Sequence, residues 1–273
     1  MGMLLKVKFW RILPKLGVSM SSLKYSNAIL RKPGRNFADG LTDAGLGLPD
    51  FSLALQQHAA YAEALRQCGL TLILLEADDR FPDGCFVEDT AIVTGEVAVI
   101  TRPGNPTRRG EPTRIAETLS VFRPLARIEA PGTLDGGDVM RVENHFYIGR
   151  SQRTNAEGAA QLAAILNSHG YTSTEVPVRT VLHLKTGVTY LGSNTSITIG
   201  EFSGAFPEQD MIEVEPQDAY AANCILVNEH LLMPAGYPEV KAKLQPLDHP
   251  IIEIPMSEFE KMDGGLTCLS LIF

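Results

Sequence analysis

One cysteine, one histidine and a set of carboxylates stand out as side chains that could act together. They are Cys268 in LTCLSL, His183 in LHLK, Asp83, Glu88 and Asp89 in PDGCFVEDTA, and Asp135 and Asp138 in LDGGDV. A thiolate is a nucleophile, an imidazole moves protons near neutral pH, and carboxylates hold a cation through charge-assisted hydrogen bonds. Several convergent acids suit a planar, donor-rich cation. A guanidinium is such a group, because its several N–H donors cannot stay unpaired in a buried site. Each residue also has a plainer reading. Cys268 lies among apolar neighbours like an inert core thiol, His183 could be a satisfied core histidine, and Glu88 and Asp89 could be turn carboxylates. LDGGDV could be no more than a tight turn. Their placement in a repeat favours joint action.

Three segments share one pattern of extended run, short polar turn, extended run, then Pro or Gly: 91–104, 139–150 and 224–236. Alternating apolar residues around Gly or Asn predict β-hairpins. A helix is expected after each, over 111–119, 154–169 and 238–244, the second opening on a Thr154/Glu157 capping box and stopping at Gly170. A short strand then follows, at 125–129, 172–178 and 251–254, so the unit is ββαβ. A less regular fourth copy runs from His183 through 198–200. The fifth is split: the strand-like 266–273 at the C-terminus completes a unit begun by a strand at 26–30, a helix at 53–67 stopped by Gly69, and a strand at 72–75. Pairing of the terminal strands would close a ring and remove an exposed sheet edge. The units begin near Phe86, Gly137, His183, Asn223 and Cys268, at spacings of 51, 46, 40 and 45 residues. Such a period predicts a propeller-like array of α/β class. In a closed ring, the residues that open each unit face the common centre, and those are the acids, His183 and Cys268.

Composition bounds the alternatives. The chain has 273 residues, 44% hydrophobic and 21% charged, which is ordinary for a globular protein. A net charge of -8 argues against nucleic acid or an anionic membrane as partner and suits a cationic small molecule. Cys68, Cys85, Cys224 and Cys268 are widely spaced with no CxxC pair, which fits a reduced, cytoplasmic protein rather than a zinc site or disulfide framework. HxxH, HExxH and EF-hand spacings are missing, so no metal is expected, and no GxSxG elbow supports a serine nucleophile. No run is long and apolar enough for a membrane span. Residues 1–19 alternate basic and apolar without a continuous signal-peptide core. They are expected to be a disordered extension, with Met20 an alternative start. Residues 20–273 then form a single catalytic domain, as monomer or homodimer.

RKPGRNFADGLT, FVEDTA, ITRPGNPTRR, LDGGDV, YIGRSQRTN, HLK and DGGLTCLS resemble, in this order, the motifs of the dimethylarginine dimethylaminohydrolases, and together span residues 31–270. The resemblance implies the five-bladed α/β-propeller called a pentein, with pseudo-fivefold symmetry. It also implies hydrolysis of N-omega-methylated arginine to citrulline and a methylamine, without cofactor. Cys268 would be the nucleophile and His183 the general acid/base, with Asp89 and Asp135 on the guanidinium. Asp83 and Glu88 fall where the family contacts substrate, Arg108 and Arg153 where it grips the α-carboxylate, and the carbonyls of Leu41 and Met262 at further contacts. Arg109 adjoins Arg108 and leaves that assignment open. The glycine-rich 36–50 segment resembles the family's lid loop. Hydroxyarginine hydrolases, arginine deiminases and amidinotransferases of the same superfamily, or an inactive pentein acting as a binding module, are the alternatives. The long RKPGRNFADGLT and FVEDTA runs, the compact length and the intact Cys268–His183–Asp89–Asp135 set favour the dimethylarginine hydrolases.

Overall fold

The computed structural model describes residues 24–273; the expected extension at 1–19 lies outside them. The described residues open with β1 (Asn27–Arg31), α1 (Phe51–Gln67) and β2 (Thr71–Leu75). Asp50 caps α1 by accepting the Leu53 N–H, and Gly69, at φ +87°, ends it in the left-handed region that glycine adopts without strain. The next unit holds β3 (Ala91–Val93), β4 (Ala98–Ile100), α2 (Pro112–Leu119) and β5 (Leu125–Arg127). It is followed by β6 (Val139–Val142), β7 (His145–Arg150), α3 (Ala156–Ser168) and β8 (Thr172–Pro177). The fourth unit opens on the single-turn α4 (Leu184–Gly187) and contains β9 (Val188–Tyr190), β10 (Thr195–Thr198) and β11 (Asp210–Glu213). The fifth contains β12 (Ile225–Val227), β13 (His230–Pro234), α5 (Pro238–Leu244) and β14 (Ile251–Ile254).

Among the described residues five three-stranded sheets result, and all have one strand pairing. The middle strand pairs antiparallel with the strand before it and parallel with the strand after the helix, as in β6-β7-β8. The parallel pairing explains why a long crossover segment, a helix in four of the units, separates the last two strands, since a tight turn cannot make that connection. In the split unit the antiparallel partner of β1 comes from the far end of the chain, β15 (Leu271–Ile272), with Ile29 opposite Leu271. The terminal Phe273 carbonyl accepts the Ser26 and Asn27 N–H groups. Ring closure is therefore covalently split and non-covalently sealed. The first strands β3, β6, β9, β12 and β15 line one central cavity of about 200 Å³. The helices lie outside, packed through fully buried residues such as Leu65, Ile115, Leu162 and Leu244. Deleting 266–273 removes one strand of the closing sheet and the core residues Leu266, Leu269 and Leu271. Thermal unfolding of that truncation is expected to lose its cooperative transition, and a normal melt would disprove the seal.

Three expectations change. The 154–169 helix begins at Ala156 with Asn155 as its cap, accepting the Gly158 N–H at 2.8 Å. The Thr154 hydroxyl is donated instead to the buried Asp138, so no Thr154/Glu157 box forms. The fourth unit carries only a 3-10 turn, Gly200–Phe202, where the others have a helix. Finally, Cys268 is not on a strand: Thr267–Leu269 is a 3-10 turn and only Leu271–Ile272 is extended. At the ring centre no neighbouring strand can satisfy this backbone. The Thr267 N–H goes to the Asn223 side chain at 3.0 Å.

Candidate active site

A short helical turn precedes the first strand of every unit: Val87–Thr90, Gly136–Asp138, Leu184–Gly187, Pro216–Ala222 and Thr267–Leu269. These turns crowd the ring centre and carry, or directly adjoin, the chemistry-bearing residues. The close approach needs the two glycines of LDGGDV. A Cβ on Gly136 would sit 2.0 Å from the Glu88 carbonyl oxygen, and one on Gly137 would sit 2.8 Å from the His183 ring. Any side chain there would push the units apart.

On one face of the centre lies a narrow cleft lined by Leu41, Asp83, Asp89, Arg108, Arg153, His183, Met262 and Cys268, among others. His183 is buried, and its Nε2 lies 3.1 Å from Asp135 Oδ2 and 3.9 Å from Asp89 Oδ1. Asp135 is held by the Gly104 N–H on Oδ1, and Asp89 by the Gly137 N–H on Oδ1. These three residues are also the one group among the described residues whose donor atoms could meet a metal ion. Burial pulls the His183 pKa down, but the charges of Asp89, Asp135 and Asp138 and the hydrogen bond to Asp135 prevail and raise it to about 9. Asp89 answers in the opposite sense. Burial works against its charge, yet His183 and Arg108 bring it down to about 2. The raised His183 value means that its charge stabilises the native state fully below about pH 6.5. That contribution is lost as the pH rises through about 9. The melting temperature should therefore fall more between pH 7 and 10 in the wild type than in His183→Gln, and parallel curves would remove the buried imidazolium.

The Cys268 sulfur accepts the Gly265 N–H at 3.4 Å and faces the cleft. Enclosure, together with the negative charges of Glu88 and Asp89, pushes its thiol far above the ordinary range; Lys185 opposes this only weakly. The resting group is a thiol.

The two arginines behave differently. Arg108 is buried and largely committed: its NH1 donates to Asp89 Oδ2 at 2.6 Å, its NH2 and Nε to Glu111, and its NH2 also to the Phe86 carbonyl. Arg109 is exposed and lies outside the cleft. Arg153 is the open one. Its NH1 is buried without a hydrogen-bond partner, 3.7 Å from Asp135 Oδ2. An unpaired buried guanidinium nitrogen costs free energy until an acceptor arrives, so Arg153 is poised for an anion.

Asp83 accepts the Leu41 N–H at 3.0 Å, tying the 36–50 segment to the cleft. Asp263 ties it again, accepting the Thr42 hydroxyl at 3.0 Å and the Asp43 N–H at 2.6 Å, and Glu258 accepts the Asp50 N–H. Glu88 does not face the cleft. Its carboxylate pairs with the Lys185 ammonium and accepts the Thr267 hydroxyl, on the side of the central cavity. It cannot reach a ligand from there without breaking that pair. Sequence reasoning missed Glu111, Lys185 and Asp263. Glu111 was reachable in principle as the acid three residues after Arg108; the other two contacts cross between units.

Asp138 is fully buried and saturated. It accepts from the Ser151 and Thr154 hydroxyls and from the Leu184 N–H, next to His183. It therefore fixes the His183 turn against the loop that carries Arg153.

A family model described as "N,N dimethylarginine dimethylhydrolase, eukaryotic" matches residues 51–202. The dimethylarginine dimethylaminohydrolase of Pseudomonas aeruginosa is 49% identical over 91% of this chain and 100% of its own length. That of Streptomyces coelicolor is 38% identical, over 89% and 95%. A solved structure of the Pseudomonas protein, a cysteine-to-serine variant complexed with citrulline, superposes with TM-score 0.90 at 48% identity, covering 92% of this chain and all of the other. The N-terminal domain of a cyanobacterial arginine dihydrolase has TM-score 0.81 at 20% identity over 90% and 96%, which speaks for the shared five-bladed fold alone. With its full-length match at 49% identity, the chain belongs to the dimethylarginine dimethylaminohydrolase family.

Proposed function

We propose that this protein hydrolyses N-omega-methylated L-arginine, asymmetric dimethylarginine and monomethylarginine, to L-citrulline and a methylamine, with Cys268 as nucleophile and His183 as general acid/base. The observation that carries the reading is one cleft holding a thiol, a buried histidine, the guanidinium-matching carboxylate Asp89 and an arginine nitrogen without a hydrogen-bond partner. Arg153 receives the substrate α-carboxylate through its fixed fork of donors, with Arg108 beside it. Asp83 and the backbone of Leu41 and Met262 surround the amino end. Asp89 exchanges its Arg108 partner for the substrate guanidinium, so the incoming cation replaces one that the site already neutralises.

The chemistry follows from charge. A guanidinium has a pKa above about 12 and a delocalised carbon that resists attack. Docked beside Cys268, its positive charge offsets the carboxylates that hold the thiol up, and the thiol yields its proton to solvent. The sulfur bonds to the guanidinium carbon. His183, protonated at neutral pH, gives its proton to the departing nitrogen as the C–N bond breaks, leaving an S-alkylthiouronium on Cys268. Neutral His183 next takes a proton from water as that water attacks the same carbon. The C–S bond then breaks, the hydroxyl proton passes to sulfur, and citrulline leaves with the thiol restored. Asp135 holds the imidazole in place throughout. The 36–50 segment, latched through Asp83 and Asp263, shields the first step from water. A reducing, cytoplasmic setting keeps such a thiol active, and the four cysteines are free. No described helix is long and apolar enough to cross a membrane.

A citrulline assay across arginine, monomethylarginine, asymmetric dimethylarginine and hydroxyarginine tests the reading. The methylated substrates should be preferred; a preference for either of the others would overturn it.

A further inference from the structure

Cys268 borders a second space. Behind the cleft, a chamber of about 260 Å³ is lined by Ala44 and Leu46 of the 36–50 segment, Val181, Ile199, Ala219 and Tyr220, and it shares only Cys268 and Asp263 with the cleft. By the same measure the cleft itself has about 20 Å³ of free space, enough for one or two waters. Several of the chamber's polar groups are spent on neighbours. The Tyr220 hydroxyl donates to the Gly264 carbonyl, and the Asn223 side chain makes three hydrogen bonds, to Lys185 and Thr267. Apolar wall therefore predominates, with the carboxylates of Glu260 and Asp263 beside it.

A dimethylated guanidino nitrogen has no N–H. It cannot lie against Asp89, whose oxygens need donors, so it must point to a place that asks for none. It must also stay near His183, and Val181 and Thr186, on either side of His183 in sequence, line this chamber. We propose that the chamber is the pocket for the alkyl group on the guanidino nitrogen and the exit for the departing amine, and that it admits groups larger than methyl. This rests on the reading of the cleft as a methylarginine site and adds where the substituent goes. Glu260 and Asp263 attract the amine once it is protonated, drawing the product away from the sulfur.

The test uses a series of N-omega-methyl, N-omega-ethyl and N-omega-propyl arginine, with kcat/KM measured from citrulline. Ala219→Phe fills the chamber and Ile199→Ala enlarges it; neither residue touches the cleft. Burial of one methylene is worth about 0.8 kcal/mol, or about fourfold. Wild-type protein should process the propyl substrate. Ala219→Phe should lower the propyl-to-methyl ratio by at least tenfold, and Ile199→Ala should raise the ratio. If both variants melt as wild type and the ratio stays within twofold, the chamber is not the substituent pocket. Should Ala219→Phe fail to fold, an unchanged ratio in Ile199→Ala overturns the proposal by itself. A wild-type protein that makes no citrulline from dimethylarginine instead defeats the underlying reading, a distinct result.

Discussion

Cys268→Ser is expected to lose at least a thousandfold in kcat while its melting curve stays close to wild type. Serine nearly matches the shape of cysteine, and Cys268 makes one hydrogen bond among the described residues, a long one from the Gly265 N–H. The packing change is therefore small. The chemical change is large, because a hydroxyl is far less acidic than a thiol, and the enclosure that already raises the Cys268 thiol would raise the hydroxyl further. No group is placed to deprotonate it: the nearby imidazole is protonated, with its pKa raised to about 9. A thousandfold loss corresponds to about 4 kcal/mol of barrier. Citrulline production and circular dichroism should be measured together. A folded serine variant that keeps more than about a tenth of wild-type kcat would show that the nucleophile lies elsewhere.

His183→Gly separates the two steps. The glycine variant has no acid for the leaving amine and no base for water. Dimethylamine departs poorly unless protonated, so its release should fall by roughly 10² to 10⁴, the usual span for a lost general acid or base. S-methylthiocitrulline carries a better leaving group and needs less protonation. It should still alkylate Cys268, and the adduct should accumulate because nothing activates water. Intact-protein mass spectrometry after brief exposure would find the adduct on His183→Gly and not on Cys268→Ser. Wild-type turnover of the surrogate by the His183 variant, without adduct, would return His183 to a structural role.

Cys268 and His183 were legible through the repeat that carries them. The hairpin–helix–strand rhythm follows from local rules: alternation of apolar residues, turn-forming Gly and Asn, and caps such as Asp50. These recur from unit to unit because each faces the same packing problem, with a 3-10 turn replacing the helix in the fourth. Positions 238–244 and 251–254 agree with the observed elements to the residue. The phase of the repeat then places the acids, His183 and Cys268 near one axis. Where local rules compete, the sequence misled. Thr154 and Glu157 spell a capping box, but a buried Asp138 carboxylate needs the Thr154 hydroxyl more, and Asn155 takes over the cap. LTCLSLIF reads as a strand, yet its first half has no strand beside it at the ring centre and is held by the Asn223 side chain and the Glu88 carboxylate.

What the sequence determined by itself is the ββαβ repeat, its closure by the chain ends and the set of residues that gather at the centre, because period and residue type are local properties. Which way each central side chain turns was decided by the tertiary structure. Glu88 and Asp89 are adjacent, yet Asp89 faces the cleft beside His183 and Arg108, while Glu88 turns to Lys185 on the opposite side. Arg108 is committed to Glu111, whereas Arg153 keeps a nitrogen without a hydrogen bond, 3.7 Å from Asp135. Charges at the centre of a ring choose partners from other units, as His183 does with Asp135 and Lys185 with Glu88. Low dielectric makes an unpaired buried charge costly, so the pairing is settled only once all five units are in place.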